Sequence, residues 1–218
     1  MSITDIDIKI DDCIKKELVF RKLLAKCSDK YHKYLKDDTN VKIRIMIARH
    51  SDKYHDQFIY DRVTDVRKVV ALYSDKYHDQ LRYDNTKTIR GLVASLSDKY
   101  HDHLRHDRAF EVRLAVAEYS DKYHKYLKDD NDWRVRSTVA HYSDKYHEQF
   151  KDDNDWRVRS TVTHYSDKYH DQFKDDPHAD IRVLVAKHGK YYRYLKDDED
   201  ATVRAVANNY EKGVYNEQ

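Results

Sequence analysis

Apolar and small residues recur along this chain with a period of 23 residues, and their spacing inside each period is helical. Counting places from the first residue of each unit, Tyr stands at place 4 and Leu or Phe at place 8. Val or Ile follows at places 16 and 20, and mostly Ala at place 21. An Asp-rich stretch at places 10 to 13 separates the two apolar groups. The pattern predicts two short helices per unit, joined by a polar turn.

A fixed period of this length is typical of solenoids, in which each unit packs mainly on its neighbours. We predict an all-α fold: one α-solenoid domain over residues 28–210, made of about eight two-helix units. Phe20, Arg21, Leu24 and Ala25 continue the pattern backward, so residues 1–27 are predicted to form an N-terminal capping helix. Residues 211–218 are predicted to be a tail. The units begin at Ser28, Ser51, Ser74, Ser97, Ser120, Ser143, Ser166 and Gly189.

The pentapeptide Ser-Asp-Lys-Tyr-His opens every unit that begins with serine. Its serine suits a helix N-cap, with the aspartate in the first turn and the tyrosine in the core. The lysine and the histidine have two readings. In one, each histidine packs or hydrogen-bonds against the adjacent first helix, and each lysine pairs with nearby carboxylates. In the other, they form a basic ladder for an acidic ligand, with Lys99, Lys122 and Lys145 as its candidates.

An aspartate at place 11 and an arginine six residues later form two further columns. The aspartate can cap the amides at the start of the second helix, and the arginine can reach the aspartate of a neighbouring unit. We therefore expect a hydrogen-bond ladder between units. The aspartates are Asp38, Asp61, Asp84, Asp107, Asp130, Asp153, Asp176 and Asp198. The arginines are Arg44, Arg67, Arg90, Arg113, Arg136, Arg159, Arg182 and Arg204.

The stretch Asp130-Asn131-Asp132-Trp133-Arg134-Val135-Arg136-Ser137-Thr138-Val139-Ala140 and its near copy from Asp153 to Thr163 resemble a known family. An aspartate followed by Val-Arg and then Val-Ala is similar to HEAT-like repeats and to their shorter relative, the leucine-rich repeat variant. The resemblance covers residues 28–210 and implies an architecture used for scaffolds, partner-binding arches and nucleic-acid clamps. The first half of each unit departs from the family, since Ser-Asp-Lys-Tyr-His replaces leucine-rich or proline-bearing stretches.

Composition narrows the choice of partner and compartment. Lysine plus arginine (42) nearly balances aspartate plus glutamate (40), so net charge alone does not indicate nucleic acid. No stretch reaches the roughly 20 apolar residues that span a bilayer, and no membrane partner is expected. Cys13 and Cys27 precede the repeats without further cysteines for a metal site or a disulfide framework. We predict no cofactor, no metal and a cytoplasmic location, in a bacterial or a host cell.

The second helix offers the candidate partner-binding residues. Places 14, 18 and 22 share a face that avoids the core places, and tryptophan and arginine are frequent in interface hot spots. The candidates are Phe110, Trp133, Arg134, His141, Trp156, Arg157 and His164. Two readings stay open: the aromatic residues form an exposed stripe, or each tryptophan packs over the start of its helix against the next unit.

The sequence thus predicts a non-enzymatic scaffold or inhibitor that binds a protein partner. Its Lys, Asp, Tyr and Asn content with scarce Gly and Pro resembles bacterial and phage-encoded repeat proteins. An inhibitor of a host defence complex, encoded by a phage or mobile element, is therefore one hypothesis. The alternative is a nucleic-acid-binding protein that uses Lys and Arg ladders and exposed aromatic residues.

Enzymatic catalysis is the third class of function. Pairs such as His55-Asp56 and His147-Glu148 weakly resemble those of helical-repeat di-iron hydroxylases, and histidine and carboxylate are suitable iron ligands. Such pairs recur in most units, however, which indicates a repeated surface rather than one assembled site. Helical-repeat DNA glycosylases are a further analogy, but the near-uniform units present no singular catalytic acid. We therefore predict no enzymatic activity.

Overall fold

The computed structural model describes residues 17–211, and the chain forms two compact units that divide at residue 115. The first unit runs up to Ala115 and the second starts at Val116. Residues 17–211 contain helices and their connections and no strand. Cys13 and the rest of residues 1–16 of the predicted cap lie outside the described residues, as do residues 212–218 of the predicted tail. The division into cap, solenoid and tail stays a prediction.

Each unit has a long helix, and the long helices up to Trp156–Tyr165 each end next to the serine that opens the following unit. Ser51 is typical: its backbone is extended, with φ −151° and ψ 128°, and its amide donates to the Ile47 carbonyl at 2.9 Å. At the other end, Asn40 and Asp132 accept hydrogen bonds from the amides two residues later and act as N-caps. The long helices are Leu18–Cys27, Val41–His50, Thr64–Tyr73, Lys87–Leu96, Phe110–Tyr119, Trp133–Tyr142, Trp156–Tyr165, Ala179–Lys187 and Ala201–Glu211.

The predicted first helix is shorter and less regular than the second. In every unit that opens with serine, a three-residue 3₁₀-helix leads into a four-residue α-helix. The 3₁₀-helices are Asp29–Tyr31, Asp52–Tyr54, Asp75–Tyr77, Asp98–Tyr100, Asp121–Tyr123, Asp144–Tyr146 and Asp167–Tyr169. The short α-helices are His32–Leu35, His55–Phe58, His78–Leu81, His101–Leu104, His124–Leu127, His147–Phe150, His170–Phe173 and Tyr192–Leu195.

The predicted serine caps are mostly wrong. The Ser51 hydroxyl accepts from the Lys53 amide at 3.4 Å, but the serines that open the other 3₁₀-helices make no side-chain cap bond. The reason is geometric, because the first turn is a 3₁₀ turn closed by the backbone. The Tyr31 amide, for example, donates to the Ser28 carbonyl at 3.1 Å. The serine serves chiefly through its extended backbone, which ends one helix and starts the next.

The predicted core places 8, 16, 20 and 21 are confirmed, whereas the tyrosine at place 4 is buried in four units and only half-buried at Tyr31, Tyr54 and Tyr146. Phe58, Val66 and Val70 represent places 8, 16 and 20 and are at most 1% exposed, and Ala71 at place 21 is also buried. Burying a side chain of this size stabilises the fold by about 1.5–3 kcal/mol. Long helices of successive units pack side by side within each compact unit, Val41–His50 on Thr64–Tyr73 and Trp133–Tyr142 on Trp156–Tyr165. This is the α-solenoid that the period predicts.

Within the described residues, no helix combines the length and the apolar character needed to cross a membrane.

Candidate partner-binding surfaces

The predicted ladder between units is present and buried. Arg44 donates from Nε to Oδ2 of Asp61 at 2.6 Å and from Nη2 to Oδ1 at 3.0 Å. Its Nη1 donates to the Asp38 carbonyl of its own unit at 2.6 Å, so one guanidinium joins two units. The same two-point contact joins Arg67–Asp84, Arg90–Asp107, Arg136–Asp153, Arg159–Asp176 and Arg182–Asp198. Arg21 pairs with Asp38 through Nη1 alone, at 2.9 Å.

The ladder aspartate Asp61 is held ionised by its partners. Burial alone would raise the pKa of Asp61, but hydrogen bonds from Arg44 and from the Val63 amide outweigh burial and hold that pKa below its ordinary value. The hydrogen bond to Asp61 in turn raises the pKa of the Arg44 guanidinium. Both charges are neutralised inside the fold. These columns are structural and offer little to a ligand.

The repeated histidines lie in the interior, which excludes them from an exposed basic ladder. His55 is 1% exposed, and its Nε2 lies 2.7 Å from the Ala48 carbonyl. A carbonyl only accepts, so Nε2 carries the proton. Ala48 lies in the last turn of Val41–His50, where carbonyls lack helical partners. The histidine therefore caps the end of the preceding long helix, whereas the first reading placed its contact on the adjacent first helix.

This burial also separates the proposed iron-ligand pairs. His55 is buried whereas Asp56 is exposed, and His147 is buried whereas Glu148 is exposed. Across residues 17–211, His, Cys, Asp and Glu side chains form no cluster of three that could hold a metal ion. Each pair thus consists of a buried histidine followed by an exposed carboxylate.

The candidate lysines are exposed, and each lies over the tyrosine that follows it. The Nζ atoms of Lys99 and Lys122 are both 5.1 Å from the ring centres of Tyr100 and Tyr123, and Lys145 is 5.5 Å from that of Tyr146. Lys99 belongs to the first compact unit and the other two to the second. The contacts are cation–π interactions, and the role of these lysines as a basic ladder stays a prediction.

The two tryptophans are half-buried and covered by side chains of the next unit. The Arg157 guanidinium lies 3.8 Å from the Trp133 ring centre, and the His178 ring stacks on Trp156 at 4.0 Å and 11°. These are the contacts of the packing reading. Arg134 and Arg157 also form ion pairs with Asp132 and Asp155 at 2.8 and 2.7 Å. Phe110 is half-buried in the first compact unit, and partner binding by these residues stays a prediction.

His141 and His164 are exposed near the other ends of the same helices, where they line a groove of about 510 Å³. His141 meets Tyr142 and Tyr165 edge to face, with ring centres 4.5 and 4.7 Å apart. His164 meets Tyr165 in the same way at 4.7 Å. We call this the Tyr–His groove; it is lined by Ser137, Thr138, His141, Tyr142, Ser160, Thr161, His164 and Tyr165, with Glu118 and Leu184.

The groove has a hydrogen-bonded and nearly uncharged lining. Ser137 and Thr161 hydroxyls are hydrogen-bonded at 2.7 Å, and the Thr138 hydroxyl donates to the Arg134 carbonyl at 2.9 Å. Of the lining residues, Glu118 alone carries a fixed charge. Tyr142 and Tyr165 were missed by the sequence analysis, although tyrosine recurs at place 23. Such a surface can bind an apolar or aromatic segment.

No protein-family model matches the chain, and no curated protein matches its sequence. A solved structure described as a leucine-rich repeat variant with a novel repetitive protein structural motif is similar, with a TM-score of 0.72 and 22% identity. The match covers 92% of this chain and 84% of that one. The fold of this chain is similar to that of a leucine-rich repeat variant. This confirms both the predicted α-solenoid and the resemblance to the leucine-rich repeat variant, and the likeness concerns the fold alone.

Proposed function

We propose that the protein is a non-enzymatic scaffold that binds a protein partner through the Tyr–His groove of the second compact unit. The observation that carries the proposal is the set of interlocked rings of His141, Tyr142, His164 and Tyr165. Tyr142 and Tyr165 remain 47% and 50% exposed although their ring edges are fixed by histidine. Fixed and exposed rings are suited to a partner surface.

The energetic argument rests on preorganisation. Binding immobilises side chains at a cost of about 0.5–1.5 kcal/mol each, and rings already held by neighbours avoid part of that cost. Tyrosine is enriched in interface cores and hot spots, whereas like-charged columns that would favour phosphates are not part of this groove. The tryptophans support the surface indirectly, because they pack the other ends of the same helices.

The scaffold proposal extends to the inhibitor hypothesis. If this protein is an inhibitor, its exposed groove tyrosines would cover part of the surface of the target. The phage or mobile-element origin and the host defence complex as target rest on composition, and the cytoplasmic location rests on cysteine usage. All three belong to the proposal.

The test is affinity capture from a host lysate with the full chain as bait, with and without nuclease. The baits are the wild type, Tyr142→Ser/Tyr165→Ser, and a matched control, Tyr34→Ser/Tyr73→Ser, which removes two exposed tyrosines of the first compact unit. We expect a nuclease-resistant protein on the wild type and the control that is lost from the groove variant. Equal capture by all three baits would reject the groove.

Two further outcomes separate the alternatives. A Trp133→Ala/Trp156→Ala bait that keeps its helical content but loses the partner would instead support the exposed stripe. Loss of thermal stability in that variant would support packing. Recovery that disappears with nuclease would favour the nucleic-acid alternative, and Lys99→Gln, Lys122→Gln and Lys145→Gln would then test the lysine ladder.

A further inference from the structure

The turns between the two helices differ between units at places 9 and 10. Five units carry Lys-Asp there: Lys36-Asp37, Lys128-Asp129, Lys151-Asp152, Lys174-Asp175 and Lys196-Asp197. Three consecutive units of the first compact unit instead carry Ile59-Tyr60, Arg82-Tyr83 and Arg105-His106. In these three units the place 10 carboxylate is replaced by a ring.

In several units that have the place 10 carboxylate, it accepts a hydrogen bond from a glutamine of the next unit. Asp129 accepts from Gln149 Nε2 at 2.6 Å, and Asp152 accepts from Gln172 Nε2 at 2.7 Å. The rings that replace this carboxylate are largely exposed to solvent. Tyr60 is 78% exposed, and Tyr83 is 61% exposed although the His103 ring meets its edge at 4.8 Å.

The same turns carry arginines. Arg82 lies 4.6 Å from the Tyr83 ring centre. Arg62 and Arg108 are exposed, and neither has a hydrogen bond or ion pair with another residue in the range 17–211. We call Tyr60, Arg62, Arg82, Tyr83, Arg105 and Arg108 the Tyr–Arg surface.

Acidic neighbours do not cancel this charge. Arg82 and Arg105 pair with Asp79 and Asp102 one turn earlier, at 3.1 and 3.2 Å, and both carboxylates are well exposed. The arginine side chains are 23% and 15% exposed, but solvent screens the exposed carboxylates, so a phosphate can replace the carboxylate in either pair. Of the other nearby carboxylates, Asp61, Asp84 and Asp107 are occupied by the buried ladder. Asp37, which lines a groove together with Arg62, pairs with Lys36 at 3.1 Å.

Tyr60 and Tyr83 line one groove of about 520 Å³ together with Arg62, Gln80 and Asn85. Exposed rings accept stacked bases, arginines bind backbone phosphates, and amide side chains pair with base edges. We propose that the Tyr–Arg surface of the first compact unit binds single-stranded nucleic acid. A duplex keeps its bases stacked on one another and cannot use the rings, and an acidic polypeptide has no bases to stack on them.

The test is fluorescence anisotropy of labelled 12-nucleotide oligo-U and oligo-dT with the full chain. Each base stacked on an aromatic ring contributes about 1–3 kcal/mol, so Tyr60→Ser/Tyr83→Ser should weaken binding by at least about tenfold. The matched control Tyr34→Ser/Tyr73→Ser should bind as the wild type does. Arg62→Gln/Arg108→Gln should weaken binding and reduce its salt dependence between about 50 and 200 mM KCl. Circular dichroism checks that every variant is folded.

Binding of either oligonucleotide with this pattern supports the proposal, and the two probes distinguish RNA from DNA. The proposal is overturned if the wild type binds neither probe, if the control loses affinity as the tyrosine variant does, or if a 12-base-pair duplex binds as tightly. Polyglutamate binding that survives Tyr60→Ser/Tyr83→Ser and competes fully with oligo-U would also overturn it. None of these outcomes affects the Tyr–His groove, which lies in the other compact unit.

Discussion

Arg136 and Asp153 form a two-point contact between successive repeats. Nε and Nη2 of Arg136 donate to Oδ2 and Oδ1 of Asp153 at 2.7 and 2.8 Å, while Nη1 donates to the Asp130 carbonyl at 2.7 Å. Each group is mostly buried, with 16% and 9% of the side chain exposed. One planar side chain thus fixes the turn of its own unit and the position of the next.

Replacing Arg136 should therefore destabilise the second compact unit. Arg136→Met leaves the Asp153 charge buried without its partner, which costs about 3 kcal/mol. Arg136→Lys keeps the charge but not the fork and should lose less. Urea unfolding followed by circular dichroism measures both. In the same helix, Arg134→Lys changes an exposed pair and should stay within about 0.5 kcal/mol; equal losses at both positions would contradict the ladder's role.

The ladder also predicts loss of stability in acid. The pKa values of Asp61, Asp107 and Asp198 lie below the ordinary value of 3.8, because arginine and amide hydrogen bonds outweigh burial. A depressed folded pKa gives stability that is present above the unfolded value and is lost as the pH falls through the folded one. The free energy of unfolding should hence decrease as the pH is lowered below about 4. Asp61→Asn should be less stable at neutral pH but lose less on acidification, and an unchanged acid loss would argue against this assignment.

The Arg–Asp ladder could be predicted from sequence because its two residue types recur at fixed places with opposite charge. Histidine at place 5 was predicted only in part, because the interpretation in which it packs or hydrogen-bonds placed that contact on the adjacent first helix. Its burial depends on the free carbonyl of Ala48 or Ala140 at the end of the preceding long helix, which no periodicity displays. The tyrosines of the Tyr–His groove were missed for a related reason: the contact that joins two units, between His141 and Tyr165, is not visible in the spacing of residues along the chain.

Removing a buried histidine should expose this helix-capping role. His147 is 3% exposed, and its Nε2 lies 2.7 Å from the Ala140 carbonyl. His147→Phe fills the space but leaves that carbonyl unpaired, at a cost of about 1–3 kcal/mol. His141→Phe, at an exposed position, should change the free energy of unfolding by less than about 0.5 kcal/mol. Nitrogen NMR should show His147 protonated at Nε2, and protonation at Nδ1 alone would contradict the hydrogen bond.

Substitution by alanine should change stability in opposite directions at two glycines. Gly189 has φ +77°, and an added Cβ would fall inside the Tyr210 ring, so Gly189→Ala should destabilise the last unit by more than about 1 kcal/mol. Gly91 lies inside the helix Lys87–Leu96, with the nearest atoms 4.0 Å from a Cβ, so Gly91→Ala should stabilise by about 0.5–1 kcal/mol.

Thermal unfolding of the two variants measures whether each substitution raises or lowers stability. Gly189→Ala/Tyr210→Ala separates the two causes at Gly189, because it removes the steric clash with the ring but keeps the left-handed backbone. Compared with Tyr210→Ala alone, the double variant should still be destabilised by the backbone cost of about 1–2 kcal/mol. A double variant as stable as Tyr210→Ala would mean that the ring contact alone requires glycine at this turn.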